Sequence, residues 1–370
     1  MLRLSILTAL IVAGWWCDAS AQKPITADLE PVRLVPAQPP LVDDGGTPAN
    51  DISGIACTTT TGPRRTCLVI NDEDQAAQFV TLDGDRMIGG RKVRLIGDKP
   101  SDKTVGKAPE QVACSDGRGK FKDLDGEGVA FDRSFFYVSG SHSCSRHSNK
   151  FRLSSFIVAR VRVDGEGRVL ARDGAVASST AAPDDYVETT YRLSEALATA
   201  PRVGSFFTKD LNETVNGLNI EGIAVAGGKL FAGLRAPVFG RESFLISVDV
   251  DKLFARDRPL TAQDVGLTAL PLGEHAGTRD LAAIDGGRML VLSGPAQQQA
   301  DVPYGVFLVD LGSPEKPTFL ATFKPVIDND VRAKAEAVHV LQALPDALDI
   351  LVLYDSVPGG GARVYRVPLR

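Results

Sequence analysis

Short runs of apolar residues, four to eight long and mostly alternating, recur along the chain between turn signals. Gly222–Ala226 and Lys229–Leu234 flank Gly227-Gly228, Leu281–Asp285 and Arg288–Leu292 flank Gly286-Gly287, and Val129–Asp132 and Phe135–Ser139 flank Arg133-Ser134. A Gly-Gly pair between alternating runs reads as a two-residue hairpin. Phe244–Val250 and Val306–Asp310 are further strands. Helical periodicity is scarce, and Leu193–Thr199 is the one segment that predicts a short helix.

A phrase opens several of these hairpins. It is polar or acidic, then small or acidic, then apolar. Its copies are Asp51-Ile-Ser-Gly-Ile-Ala56, Asp125-Gly-Glu-Gly-Val-Ala130 and Asn219-Ile-Glu-Gly-Ile-Ala224. Weaker copies are Thr278-Arg-Asp-Leu-Ala282 and Lys334-Ala-Glu-Ala-Val338. Aligned on Gly54, Gly128, Gly222, Asp280 and Ala337, they stand 74, 94, 58 and 57 residues apart. A period of 57–58 suits one four-stranded propeller blade. The longer spacings require insertions, near 98–125 and 171–216. Leu29–Val35 predicts a strand that completes the last blade and closes the ring. The expected fold is therefore all-β, a single β-propeller of five blades, with six as the alternative count and two packed β-sandwiches as a weaker rival.

Residues 1–21 read as a secretory signal: Arg3, an apolar run Leu4–Trp16, and Ala19-Ser20-Ala21 for cleavage. The run is shorter than the roughly 18–20 residues of a spanning helix, and no later segment is apolar enough to span. The bulky Trp15 and Trp16 before Cys17 are wrong for lipidation. The expected product is a chain from residue 22 to 370, exported to the periplasm or medium, monomeric and without stable membrane insertion.

Composition sharpens this picture. At 44% hydrophobic and 24% charged, the 370 residues are those of a folded globular chain. A net charge of −5 argues against nucleic-acid binding. Of the five cysteines, removal of Cys17 leaves Cys57, Cys67, Cys114 and Cys144, an even number in an oxidising compartment. Three connectivities are open to them. The expected hairpin register sets Cys57 opposite Cys67, which makes that bridge sterically reasonable and leaves Cys114 for Cys144.

In a propeller the opening residues of all inner strands meet at one mouth of the channel. They are Ser53, Glu127, Glu221, Arg279 and Glu336, with Asp280 one step in. The second strands end at the same face and bring Asn71 and Asp72, Gly140 to His142, Arg235, and Asp355. Paired strands with straight register put Ser53 opposite Asn71, Glu221 opposite Leu234 and Arg279 opposite Gly294. Crowded carboxylates repel and raise one another's pKa. Glu127, Glu221, Glu336 and Asp72 are thus candidate metal ligands, with Ca²⁺ the ion that oxygen donors suit. Glu127, Glu221, Glu336 and His142 are candidate acid–base groups. Arg235, Arg279 and Asp280 are candidate binders of a small, anionic substrate. The plainer alternative is that each carboxylate only fixes a turn by accepting backbone N–H bonds. His142, Cys144 and His147 have a zinc-like spacing, although an exported Cys is more often in a disulfide. His339 lies inside an apolar strand and reads as structural. The sequence has no G-x-S-x-G, P-loop, G-x-G-x-x-G or H-E-x-x-H.

The phrases Asp125-Gly-Glu-Gly-Val-Ala130, Leu218-Asn-Ile-Glu-Gly-Ile-Ala224 and Gly277-Thr-Arg-Asp-Leu-Ala282 resemble an exported bacterial family catalogued as a domain of unknown function, thirty-six sixteen. The resemblance covers roughly Ile52 to Val367. The Glu-Gly-hydrophobic-Ala phrase is also similar to phytase-like esterase propellers and, more distantly, to the gluconolactonase group. That likeness implies a propeller with metal or substrate at the channel mouth and hydrolysis of a phosphoester, ester or lactone. Arg279 and Ser53 depart from the Glu of the other copies. A non-catalytic propeller that binds a ligand or an envelope partner is the alternative.

Overall fold

The computed structural model describes residues 28–58, 63–110, 113–115, 121–146, 148–285 and 287–369. The expected signal segment, residues 1–21, and His147 lie outside these residues. Five four-stranded antiparallel sheets form the blades of one propeller. Blade 1 runs through Ile52–Cys57, Arg64–Asn71, Ala76–Asp83 and Arg86–Arg94. Blade 2 is Gly126–Asp132, Phe135–Gly140, Val158–Arg162 and Val187–Thr190. Blade 3 is Asn219–Ala226, Lys229–Phe239, Glu242–Asp249 and Gly266–Pro271, and blade 4 is Ala276–Ile284, Arg288–Pro295, Gly305–Asp310 and Thr318–Thr322. Blade 5 takes Lys334–Ala343, Ala347–Asp355 and Arg363–Pro368 from the C-terminal end and Arg33–Leu34 from the N-terminal end. Arg33 pairs with Val364 and Leu34 with Arg363, so the expected early strand does close the ring.

Alternation along each inner strand builds the core between blades. Val129 packs against blade 1 with Leu68 and Phe79, while the next residue, Ala130, packs against blade 3 with Ile220 and Ile223. The same alternation separates five buried clusters, one at each blade interface. A period-2 strand buried on both faces supplies this arrangement directly.

The segment 171–216 is more than an excursion. It holds the outer strand of blade 2, Val187–Thr190, and the helix Arg192–Thr199, one residue longer than expected. Asp98–Leu124 contributes no strand among its described residues, but Val105 bridges Thr190. The turn at Gly227-Gly228 is as predicted, with φ of 57° and 76° and Ala226 paired to Lys229. In blade 4 pairing starts one residue earlier than expected, at Ile284 opposite Arg288, so that connection is longer. Both disulfides form as proposed, Cys57–Cys67 across one hairpin and Cys114–Cys144 between two loops. With Cys144 in a disulfide, no thiolate is left there for zinc. No helix among the described residues is long and apolar enough to cross a membrane.

Candidate functional site

The mouth is built by a defect repeated in every blade. Ile52 faces Asn71 and Gly54 faces Ile70, so Ser53 has no partner of its own. Glu127, Glu221, Arg279 and Glu336 are skipped in the same way. Each is the extra residue of a β-bulge, which bends the strand and re-aims a side chain. This corrects the straight register expected from alternation: Ile52 faces Asn71, Ile220 faces Leu234, and Gly277 faces Gly294.

Just inside the bulges the strands touch backbone to backbone. A Cβ on Gly54 would stand 2.9 Å from Val129 N, one on Gly128 2.6 Å from Ile223 N, and one on Gly222 2.4 Å from Asp280 Cα. Only glycine permits that approach. The bulged side chains are thereby held close together.

Three blades supply one half of the mouth. Glu221 accepts from Arg235 Nη1 at 2.7 Å and pairs with Arg279 Nη2 at 2.9 Å. Arg279 also pairs closely with Glu336. Arg235 further donates Nε to the Ala296 carbonyl at 2.8 Å and Nη2 to that of Gln297 at 3.1 Å. Arg235, Arg279 and Glu221 are each at most 2% exposed. Burial pushes the Glu221 carboxyl up, but Arg235 and Arg279 outweigh it and hold it down at about 2. Two expected anion binders are therefore largely committed to carboxylates and carbonyls.

The other half is acidic. Carboxylate oxygens of Asp72, Asp125 and Glu127 all lie within 4.8 Å of one another. Among the described residues none of the three is in an ion pair. Asp72 Oδ1 is buried without a hydrogen-bond partner. Asp125 accepts from Ser141 Oγ, and its backbone is left-handed at φ 53°. Burial first, then the neighbouring carboxylates, pushes Asp72 and Glu127 well above the usual carboxylate range, and Asp125 moves up for the same leading reason.

The expected metal set is thus divided. Glu127 and Asp72 come together, while Glu221 and Glu336 belong to the arginine network. Asp280 lies just inside, where Oδ2 accepts the Val338 N–H at 2.7 Å, Oδ1 is unpartnered, and burial pushes the carboxyl well up. The His142 ring packs on Phe156 with centroids 6.0 Å apart, and Nδ1 lies 2.9 Å from the Gly140 carbonyl. Burial holds it down at about 4, so it is neutral at pH 7. No described contact joins it to the carboxylates. His339 is buried in its strand, held down at about 3 by burial and the charge of Arg65.

Asp125 was legible as a polar opener, because it aligns with Asp51 and Asn219 three residues before the repeat glycine. Asp72 and Ser141 occupy matching positions, and their N–H groups donate to the Asp51 and Asp125 carbonyls at 2.9 Å each. Arg146 has no counterpart in the repeat and carried no sequence signal. Its Nη2 stands 4.0 Å from Glu221 Oε1, and its side chain is 31% exposed.

Fold and mouth define a five-bladed propeller with a buried, mixed-charge channel entrance. Residues 117–363 match the model of a family described as protein of unknown function (DUF3616), and the chain belongs to that family. No curated protein is similar in sequence to the chain. Solved structures with a related course of the chain include MPT-4, a mannose phosphorylase from Leishmania mexicana, at 12% identity over 93% of this chain and 89% of that one, TM-score 0.42. An α-L-arabinanase from Cellvibrio cellulosa matches at 10% over 86% and 92%, TM-score 0.38. An α-L-arabinofuranosidase from Podospora anserina matches at 9% over 93% and 96%, TM-score 0.37. These likenesses carry no statement about what this chain acts on.

Proposed function

We propose that this is an exported propeller that binds a divalent cation, Ca²⁺, on Asp72, Asp125 and Glu127 and hydrolyses a small phosphoester, ester or lactone there. One observation carries the reading. Three carboxylates crowd within 4.8 Å, one with a buried oxygen that no donor satisfies. Such a cluster is neutralised either by protons or by a cation, and oxygen-only donors match calcium. A bound cation supplies Lewis-acid polarisation of a phosphoryl or carbonyl oxygen. Glu127 would accept the proton of an attacking water and return it to the leaving oxygen. The Glu221–Arg279–Glu336 network holds the opposite wall rigid.

The test is calcium titration calorimetry on the purified protein, followed by a screen of phosphomonoesters, phosphodiesters, acyl esters and lactones with and without chelator. Wild type binds Ca²⁺ and turns over at least one substrate, and chelation abolishes turnover. Glu127→Gln weakens calcium binding at least about tenfold, since one charged ligand of three is lost. Absence of calcium binding by the wild type overturns the reading. Calcium binding without turnover on any of these classes selects the second reading, a non-catalytic ligand-binding propeller. The engagement of Arg235 and of Arg279 Nη2 by protein groups favours that second reading.

A further inference from the structure

The arginines that sequence spacing brings to the mouth are occupied, which raises the question of what meets an anion there. Arg235 and Arg279 are buried and bound to Glu221, Glu336 and loop carbonyls. Lys334 is paired with Asp355, and Arg152 with Asp123. Arg146 differs from these. Among the described residues its guanidinium has no partner closer than Glu221 Oε1 at 4.0 Å, beyond hydrogen-bond reach.

Position makes this cation useful. Its charge acts on the mouth, since it helps to draw down the Glu221 carboxyl that it faces. By geometry it stands beside Glu221 at the mouth, 4.0 Å from Oε1, and at 31% exposure its side chain reaches solvent. The loop that carries it is also fixed. Cys144, two residues earlier, is bridged to Cys114. Ser145 donates its N–H to the Lys150 carbonyl at 3.0 Å and accepts from Asn149 N–H at 2.8 Å. A guanidinium offers a planar fork of donors that matches two oxygens of one oxyanion.

We propose that Arg146 is the anion-binding residue of this mouth, and that the substrate carries an oxyanion, a phosphate or carboxylate group, seated between Arg146 and the acidic triad. The inference rests on the triad's reading as a cation site for the second contact to that oxyanion. It selects charged substrates over neutral lactones. No bond is made or broken by Arg146, which acts as a specificity-determining residue.

The experiment measures inorganic phosphate, acetate and calcium binding separately, by titration calorimetry on wild type, Arg146→Gln and Arg146→Lys. Phosphate and acetate distinguish a tetrahedral from a planar oxyanion. In Arg146→Gln the affinity for the preferred anion, in the presence of calcium, falls at least about tenfold, as loss of a charge-assisted fork implies. Calcium affinity does not fall and the melting temperature stays at the wild-type value, which separates the effect from misfolding. Arg146→Lys restores part of the affinity, because it keeps the charge without the fork. Unchanged anion affinity in Arg146→Gln overturns the proposal, as does absence of phosphate and acetate binding by the wild type. Arg146-dependent anion binding in a protein that binds no calcium supports Arg146 and overturns only the cation site.

Discussion

Glu127 and Glu221 occupy the same bulge position in adjacent blades, yet their carboxyls are driven in opposite directions. Both are buried, so desolvation raises both. Glu221 has two guanidinium partners within 2.9 Å and ends at about 2, fully ionised at neutral pH. Glu127 faces Glu221, Asp125 and Asp72 and is pushed further up. Neighbours therefore decide the role: a structural counter-ion in one blade, a proton- or cation-seeking group in the next. Glu221→Gln leaves Arg235 and Arg279 buried without that counter-charge. We expect a loss of about 3–5 kcal/mol in chemical denaturation, typical of a broken buried pair. A loss below about 1 kcal/mol, the range of surface pairs, contradicts the buried network.

At the scale of the element, the bulge and the glycine act together. The bulge turns its extra side chain toward the mouth, and the next residue lets the strand press on its neighbour. Gly54, Gly128 and Gly222 fill this second role, and blade 4 replaces glycine with Asp280, which hydrogen-bonds Val338 N instead. Gly128→Ala puts a methyl 2.6 Å from a backbone nitrogen that no side-chain rotation can relieve. We expect destabilisation of about 3 kcal/mol or more, at the upper end of overpacking costs. Gly227→Ala, at φ 57° in open space, is expected to lose only about 1 kcal/mol, the left-handed penalty alone. Equal melting temperatures for the two variants would show that the inner strands are not in backbone contact. Turn residues and strand alternation were readable from the chain, but bulges were not. A bulge changes pairing without changing composition, so straight register misplaced Ser53 and Glu221 by one residue and Arg279 by two.

At the scale of the whole molecule, five cores between blades leave the channel mouth as the place where charge accumulates. Asp51 belongs to this accumulation. Burial, then Asp355 and Glu73, lifts its carboxyl from 3.8 to about 6. Native protein thus retains a proton that the unfolded chain has released between these values. Stability of the metal-free protein is expected to fall as pH rises from about 4 through 6. The proposed calcium is expected to oppose that fall at neutral pH, since a cation on the native carboxylates would take the place of the protons. Melting curves against pH, with calcium and with chelator, check both statements. A chelated protein as stable at pH 7 as at pH 5 refutes the strain. Curves that coincide with and without calcium remove the cation from the account.

The repeat phrase, the turn residues and the alternation of apolar positions pointed to the five-bladed ring ahead of six blades, to its closure by the early strand and to the two disulfides ahead of the other pairings. Those features depend on local pattern and on spacing along the chain, and such properties survive in one dimension. Tertiary structure alone decided which charges meet. Glu221 finds Arg279 and Glu336 from two other blades, Glu127 finds Asp72 and Asp125, and Arg146 arrives from a disulfide-tied loop outside the repeat. The sequence placed these residues at one mouth but could not divide them. Electrostatic energy falls off within a few ångströms of separation, and one-residue shifts at the bulges set those separations.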